Sequence, residues 1–207
     1  MVSPNSDRRR DALTVKILIA GAFGAGKTTM VAAISEIPVT GTEAMMTVAA
    51  EPIDDVSLVQ GKTTTTVVMD FGRVTIRDSD GELRLFLFGA PGQDRFWFLW
   101  NDLARGALAA IVLADARNLA ASWPAIDYFE GKTIPFIVVV NKFDGLLTHD
   151  LAEIREALDL PEHIPLRCAD VRDRTHVATE LRAALTHAMP SDPQNSDTPR
   201  GEQCARS

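Results

Sequence analysis

The stretch TVKILIAGAFGAGKTTM, residues 14–30, decides how the rest of the chain is read. A short β-branched run ends in Gly21, five small or glycine-flanked positions follow, and a helical pattern starts at Lys27. Residues 21–28 match G-x-x-x-x-G-K-T, a loop between a strand and a helix. Small residues there let backbone N–H groups curl around phosphate oxygens, and the helix N-terminus adds a favourable dipole. The motif assigns phosphate contacts to Gly21, Gly24, Ala25, Gly26, Lys27, Thr28 and Thr29. Lys27 would reach the β- and γ-phosphates, and the Thr28 hydroxyl would ligate Mg²⁺.

Working outward, apolar runs alternate with helical patterns from Thr14 to Ala188. Met30, Val31, Ile34 and Ile37 predict a helix stopped by Pro38. Residues 38–62 have no clear period and are expected to be a long connection. TTTTVVMDFGRVTI (63–76) and LRLFLF (83–88) flank a turn signal at Asp78, Ser79, Asp80 and Gly81, which predicts an antiparallel hairpin. ALAAIVLADA (107–116), TIPFIVVV (133–140) and IPLRCA (164–169) are further strand candidates. Between them, SWPAIDYFEG (122–131) carries a Ser cap, an early proline and a closing glycine. Thr148 is expected to cap the helix in HDLAEIREALDL, and Val177, Leu181, Ala184, Leu185 and Ala188 form the stripe of a last helix. Together these predict an α/β P-loop NTPase fold: a mostly parallel six-stranded sheet with one antiparallel edge strand and helices on both faces.

Composition narrows the class. The chain has 207 residues, 46% hydrophobic and 24% charged, which suits one domain of ordinary composition. Residues 14–188 are expected to form that domain, with 1–13 as a disordered N-terminal arm and 189–207 as a disordered C-terminal tail. Both ends are rich in Ser, Pro, Asp and Arg and too poor in apolar residues to offset ordering entropy. A net charge of −7 argues against nucleic-acid binding or a basic membrane-surface protein. No apolar run approaches the roughly 18 residues of a membrane span, so no direct membrane insertion is expected. Cys168 and Cys204 are the only cysteines, and a reducing, cytoplasmic setting follows as the expectation. The last four residues, with Arg206 in a normally aliphatic slot, make a poor prenylation signal.

The strand FIVVV delivers Asn141, Lys142, Phe143 and Asp144, an N-K-x-D pattern. A carboxylate at Asp144 can accept from both the N1–H and the exocyclic amine of guanine, a pair adenine does not offer. Asn141 would tie this loop to the phosphate loop, and the Lys142 stem would cover the base. Cys168 and Ala169 end the last strand, where a backbone N–H can meet the guanine carbonyl. GTP or GDP with Mg²⁺ is therefore the expected ligand.

These motifs resemble the Ras-like small GTPases. Residues 66–96 align with the stretch running from the switch I threonine to switch II in Rab-type members. The resemblance implies that Thr66 closes on Mg²⁺ and the γ-phosphate and that Gln93 orients attacking water. More narrowly, TTTTVVMDFG, FGAPGQDRFWFLW and PAIDYFEG resemble the actinobacterial conservon-operon GTPases, relatives of the bacterial gliding-motility polarity GTPases. That likeness implies a roadblock-fold regulatory partner and a sensor-kinase-like protein, with attachment to the membrane periphery through partners. One departure is Gly89, where the wider family has an aspartate that holds Mg²⁺ through water. Asp115 is an alternative carboxylate, though a loop acid near a helix start is the plainer reading. Phe23 is a second departure: it stands beside the γ-phosphate position or packs on switch II. At least one of Trp97 and Trp100, in RFWFLW, is expected to face solvent or a partner.

Catalysis is therefore expected from Gln93 and Lys27. Arg73 and Arg95 are the nearby arginines, and nothing marks either as an internal arginine finger. The leading expectation is a slow GTP-hydrolysing switch; the alternative is a nucleotide-dependent scaffold without significant hydrolysis. A phosphate-loop kinase or ATPase is disfavoured by N-K-x-D and by the lack of an arginine-rich lid.

Overall fold

The apolar runs become strands because their side chains are buried on both faces of one sheet. The computed structural model describes residues 12–47, 64–78, 81–143, 147 and 149–189, with the backbone alone for 40–47, 64–68, 78, 94 and 95. The strands are β1 (Leu13–Gly21), β2 (Thr40–Thr47), β3 (Thr64–Asp78), β4 (Gly81–Gly89), β5 (Ala109–Asp115), β6 (Phe136–Asn141) and β7 (Leu166–Ala169). The helices are α1 (Lys27–Ile34), α2 (Trp100–Ala104), α3 (Trp123–Glu130), α4 (Leu151–Ala157) and α5 (Arg174–Ala188).

Strand order is β2-β3-β4-β1-β5-β6-β7. β4, β1, β5, β6 and β7 pair in parallel, and β3 runs antiparallel to β4. The α/β class, the mostly parallel sheet and the antiparallel hairpin strand are as expected. The sheet also carries one strand more, β2, which pairs antiparallel with β3 from Thr40–Phe71 to Thr47–Thr64 and so becomes the edge. Its sequence, TGTEAMMT, lacks the alternation that marks a strand; an edge strand is held by backbone hydrogen bonds, which need no side-chain pattern. The long connection expected over 38–62 is therefore shorter, and its residues 48–62 lie outside the described part.

One face of the sheet packs Ile17, Ile19, Leu85, Ile111, Leu113 and Ile137 against Met30, Val31 and Ile34 of α1 and Val177 and Leu181 of α5. The other packs Leu18, Val112, Val138 and Val140 against Trp100, Ile126, Phe129 and Ile154. Full burial of each such side chain contributes about 1.5–3 kcal/mol, and the central strands supply side chains to both layers. Trp100 anchors the second layer, edge-on to Tyr128 with ring centroids 5.1 Å apart, while its Nε1 donates to the Pro91 carbonyl at 3.0 Å.

Three local expectations change. Helix α1 ends before Ile37, because Ser35 turns extended and its hydroxyl takes up the backbone N–H of Ile37 and of Arg73. Ser122 does not cap α3; it already has helical backbone angles, and its buried hydroxyl has no hydrogen-bond partner among the described residues. Helix α4 is capped by Asp150, whose carboxylate accepts from Glu153 N at 2.8 Å while the Glu153 side chain accepts from Asp150 N. Thr148, Ser79 and Asp80 lie outside the described residues, as do the terminal stretches 1–11 and 190–207.

Candidate functional site

β1 lies at the centre of the sheet, with β4 on one side and β5 on the other. In such sheets the crevice at the carboxyl ends of the strands, where the order reverses, is the ligand position. The phosphate loop sits there. Gly26 holds φ +104° at the N-cap of α1, a left-handed backbone that favours glycine. It also lies so close to β6 that an added Cβ would stand 2.7 Å from Asn141 Nδ2. A cavity of about 510 Å³ opens over the loop, lined by Gly24, Lys27, Thr28, Asp70, Gly89 and Gln93 among others.

Lys27 is buried at the floor, and its Nζ donates to the carbonyls of Gly21 at 2.9 Å and Ala22 at 2.7 Å. Burial pushes its pKa from the ordinary 10.5 down to about 8, and the Asp70 charge partly opposes this. The consequence for folding has a definite sign. Between about pH 8 and 10.5 the folded protein holds Lys27 neutral while the unfolded chain keeps it charged, so this group adds stability as pH rises. Binding runs the other way, because phosphate oxygens favour the ammonium. Triphosphate affinity is expected to fall by up to about tenfold from pH 8 to pH 9, with proton uptake on binding. Isothermal titration in buffers of different ionisation enthalpy checks this, and a Lys27→Ala protein should lose that pH dependence.

Thr28 Oγ1 donates to Asp70 Oδ2 at 2.7 Å. The segment after β4 lies directly on the loop: a Cβ at Gly92 would meet Lys27 Nζ, Phe23 N and Ala22 C, each at 2.7 Å. Gln93 follows with an exposed side chain at the cavity mouth. Phe23 is 80% exposed, so it stands at the rim of the cavity and is not packed beneath the segment after β4. Of the two tryptophans in question, Trp100 is buried and Trp97 is 40% exposed.

Asn141 connects the two ends of the crevice. Its Nδ2 donates to the Ala25 carbonyl at 3.0 Å and its Oδ1 accepts from Val171 N at 3.4 Å. Lys142 N donates to the Ala169 carbonyl at 2.8 Å, which aligns the ends of β6 and β7 with Cys168 one residue away. Arg117 stacks on the Phe143 ring at 3.7 Å and pairs with Asp115 at 2.7 Å. Asp115 is thus held by its neighbour, which keeps its carboxyl below the usual range, and the plainer reading of it stands. Arg73 Nε lies 3.9 Å from Glu36. Asp144 lies outside the described residues, and of Thr66 and Arg95 only the backbone is described. Thr66 pairs with Met45 across β2 and β3. Among the described residues no group of three or more His, Cys, Asp or Glu is arranged to hold a metal, and no helix is long and apolar enough to cross a membrane.

Asp70 was not singled out in the sequence. The signal was present, because the turn pairs Asp78 with Gly81 and counting outward along an unbroken ladder sets Asp70 against Gly89.

A glycine-rich loop between central strand and helix, its buried lysine and the β6 asparagine define a P-loop nucleotide-binding protein. The chain belongs to the family described as conserved hypothetical ATP binding protein, which matches residues 19–191. It is also 30% identical over 132 residues to an uncharacterized protein of Methanocaldococcus jannaschii, MJ1339, covering 63% of this chain and 71% of that one.

Proposed function

We propose that this protein is a guanine-nucleotide switch of the Ras-like kind that hydrolyses GTP slowly and signals through nucleotide-dependent partner binding. The observation that carries the reading is the Asn141 bond to the Ala25 carbonyl. It joins the first residue of N-K-x-D to the phosphate loop, which supports a reading in which a nucleotide with its phosphates on the loop turns its base toward the end of β6, where the N-K-x-D segment begins. The family's description names ATP; the double acceptor at Asp144 favours guanine instead.

In hydrolysis, Gln93 orients the attacking water while Lys27 and the loop amides stabilise charge on the transferring phosphoryl group. Bound Mg²⁺ would neutralise phosphate oxygens from the side of Thr28 and Thr66. Turnover is slow in this reading because Arg73 is turned toward Glu36, and an arginine finger commonly contributes 10³–10⁵-fold. The surface proposed for partner binding is that of Trp97, Phe98 and Trp123, which are 40%, 51% and 50% exposed. A roadblock-fold regulator and a sensor-kinase-like protein are the proposed partners, in the cytoplasm or at the membrane periphery.

Phe23 at the cavity rim and Gly89 favour a second reading, a scaffold that binds the nucleotide without cleaving it. Single-turnover hydrolysis of GTP separates the two. The switch predicts slow phosphate release that falls at least tenfold in Gln93→Ala, whereas intact GTP in both proteins would favour the scaffold.

A further inference from the structure

We propose that Asp70 supplies the magnesium-side carboxylate that Gly89 lacks, so that one acidic position has moved across the β3–β4 pair. This rests on the reading of the crevice as a magnesium–nucleotide site. Asp70 and Gly89 are direct cross-strand partners, and partners on one face of an antiparallel pair place their Cβ atoms side by side. Here the two positions compete for one space: a Cβ on Gly89 would stand 2.9 Å from Asp70 Cβ and 2.8 Å from Asp70 Oδ2. A side chain at 89 and the observed Asp70 carboxylate exclude one another. The glycine is therefore what gives Asp70 its room.

The chemistry of the Thr28 bond completes the argument. A hydroxyl that ligates a cation does so through a lone pair and needs an acceptor for its proton. Thr28 Oγ1 gives its proton to Asp70 Oδ2 at 2.7 Å, and both residues line the same cavity as Lys27. That leaves the Thr28 lone pairs and the second Asp70 oxygen as hard donors of the type Mg²⁺ takes, few in number because phosphates and water fill the other positions. Asp70 also opposes the loss of charge from Lys27, so its field reaches the phosphate position.

The test reads the magnesium dependence of nucleotide binding, not turnover. GTP affinity is measured on the full-length protein across a magnesium titration, with EDTA as the zero point. Asp70→Asn keeps an oxygen that can accept from Thr28 but removes the charge, so it separates a metal role from a purely structural one. The half-saturating magnesium concentration is expected to rise at least about tenfold in Asp70→Asn. The exchange variant Asp70→Gly/Gly89→Asp, which respects the steric exclusion, should return to within about threefold of wild type. An Asp70→Asn protein with unchanged magnesium dependence overturns the proposal, and so does a folded exchange variant that remains as magnesium-poor as Asp70→Asn. A wild-type protein that binds GTP equally well in magnesium and EDTA would instead overturn the underlying reading of the site.

Discussion

Replacing Lys27 with alanine is expected to weaken triphosphate binding by roughly 100-fold, about 3 kcal/mol, while leaving the fold in place. The size follows from the group's position. Lys27 is the buried cation at the floor of the crevice, and its ammonium already lies 2.7–2.9 Å from two loop carbonyls. Bonds to anionic phosphate oxygens, in which both partners are charged, would replace those contacts to neutral carbonyls. The fold is expected to survive because alanine is a good helix former at the start of α1, and the position borders an open cavity that water can enter in place of the ammonium. Equilibrium titration with a fluorescent GTP analogue checks the loss, and circular dichroism checks the fold. Binding as tight as wild type would mean that phosphates do not lie on this loop.

Asp144→Asn is expected to have the larger effect, on selectivity and not on folding. A carboxylate that accepts from two guanine donors rejects adenine because adenine leaves it unpaired, and such sites commonly discriminate by 10⁴–10⁵-fold. The amide of asparagine presents a donor where an acceptor is needed, so the preference for GTP over ATP should collapse by roughly 10³-fold or more. Competition of ATP against bound GTP analogue measures it. Unchanged GTP affinity and selectivity in this variant would place the base elsewhere.

The parts of the site that were legible in the sequence are those built from contiguous residues. The phosphate loop needs small residues, a lysine and a hydroxyl in a fixed order, and each lies in or beside the cavity as its motif requires. Asn141 was legible for the same reason, since a strand end followed by N-K-x-D is a local pattern, and its bond to Ala25 is the one anticipated. The central strands were visible because burial on both faces demands near-continuous apolar runs.

What escaped depends on residues far apart in the chain. β2 is defined by its ladder to β3, and its own residues carry no period. Asp70 gained its meaning only from the residue across the pair, and Gly89 read alone as a loss became the space that Asp70 fills. The cap of α4 was misplaced by a choice between neighbours: Thr148 and Asp150 both suit a cap, and the reciprocal bond with Glu153 favours Asp150. Ser122 failed as a cap because a 3-10 turn over Leu119–Ser122 already gives it helical backbone angles, and Pro124, two residues on, has no N–H to donate.

The family is described by ATP, whereas the crevice as proposed takes a guanine nucleotide. The most direct measurement is the affinity of the purified, nucleotide-stripped protein for GTP and for ATP in the presence of magnesium, under one set of conditions. The account predicts GTP binding at least about 10³-fold tighter than ATP. Equal affinities, or a preference for ATP, would contradict it.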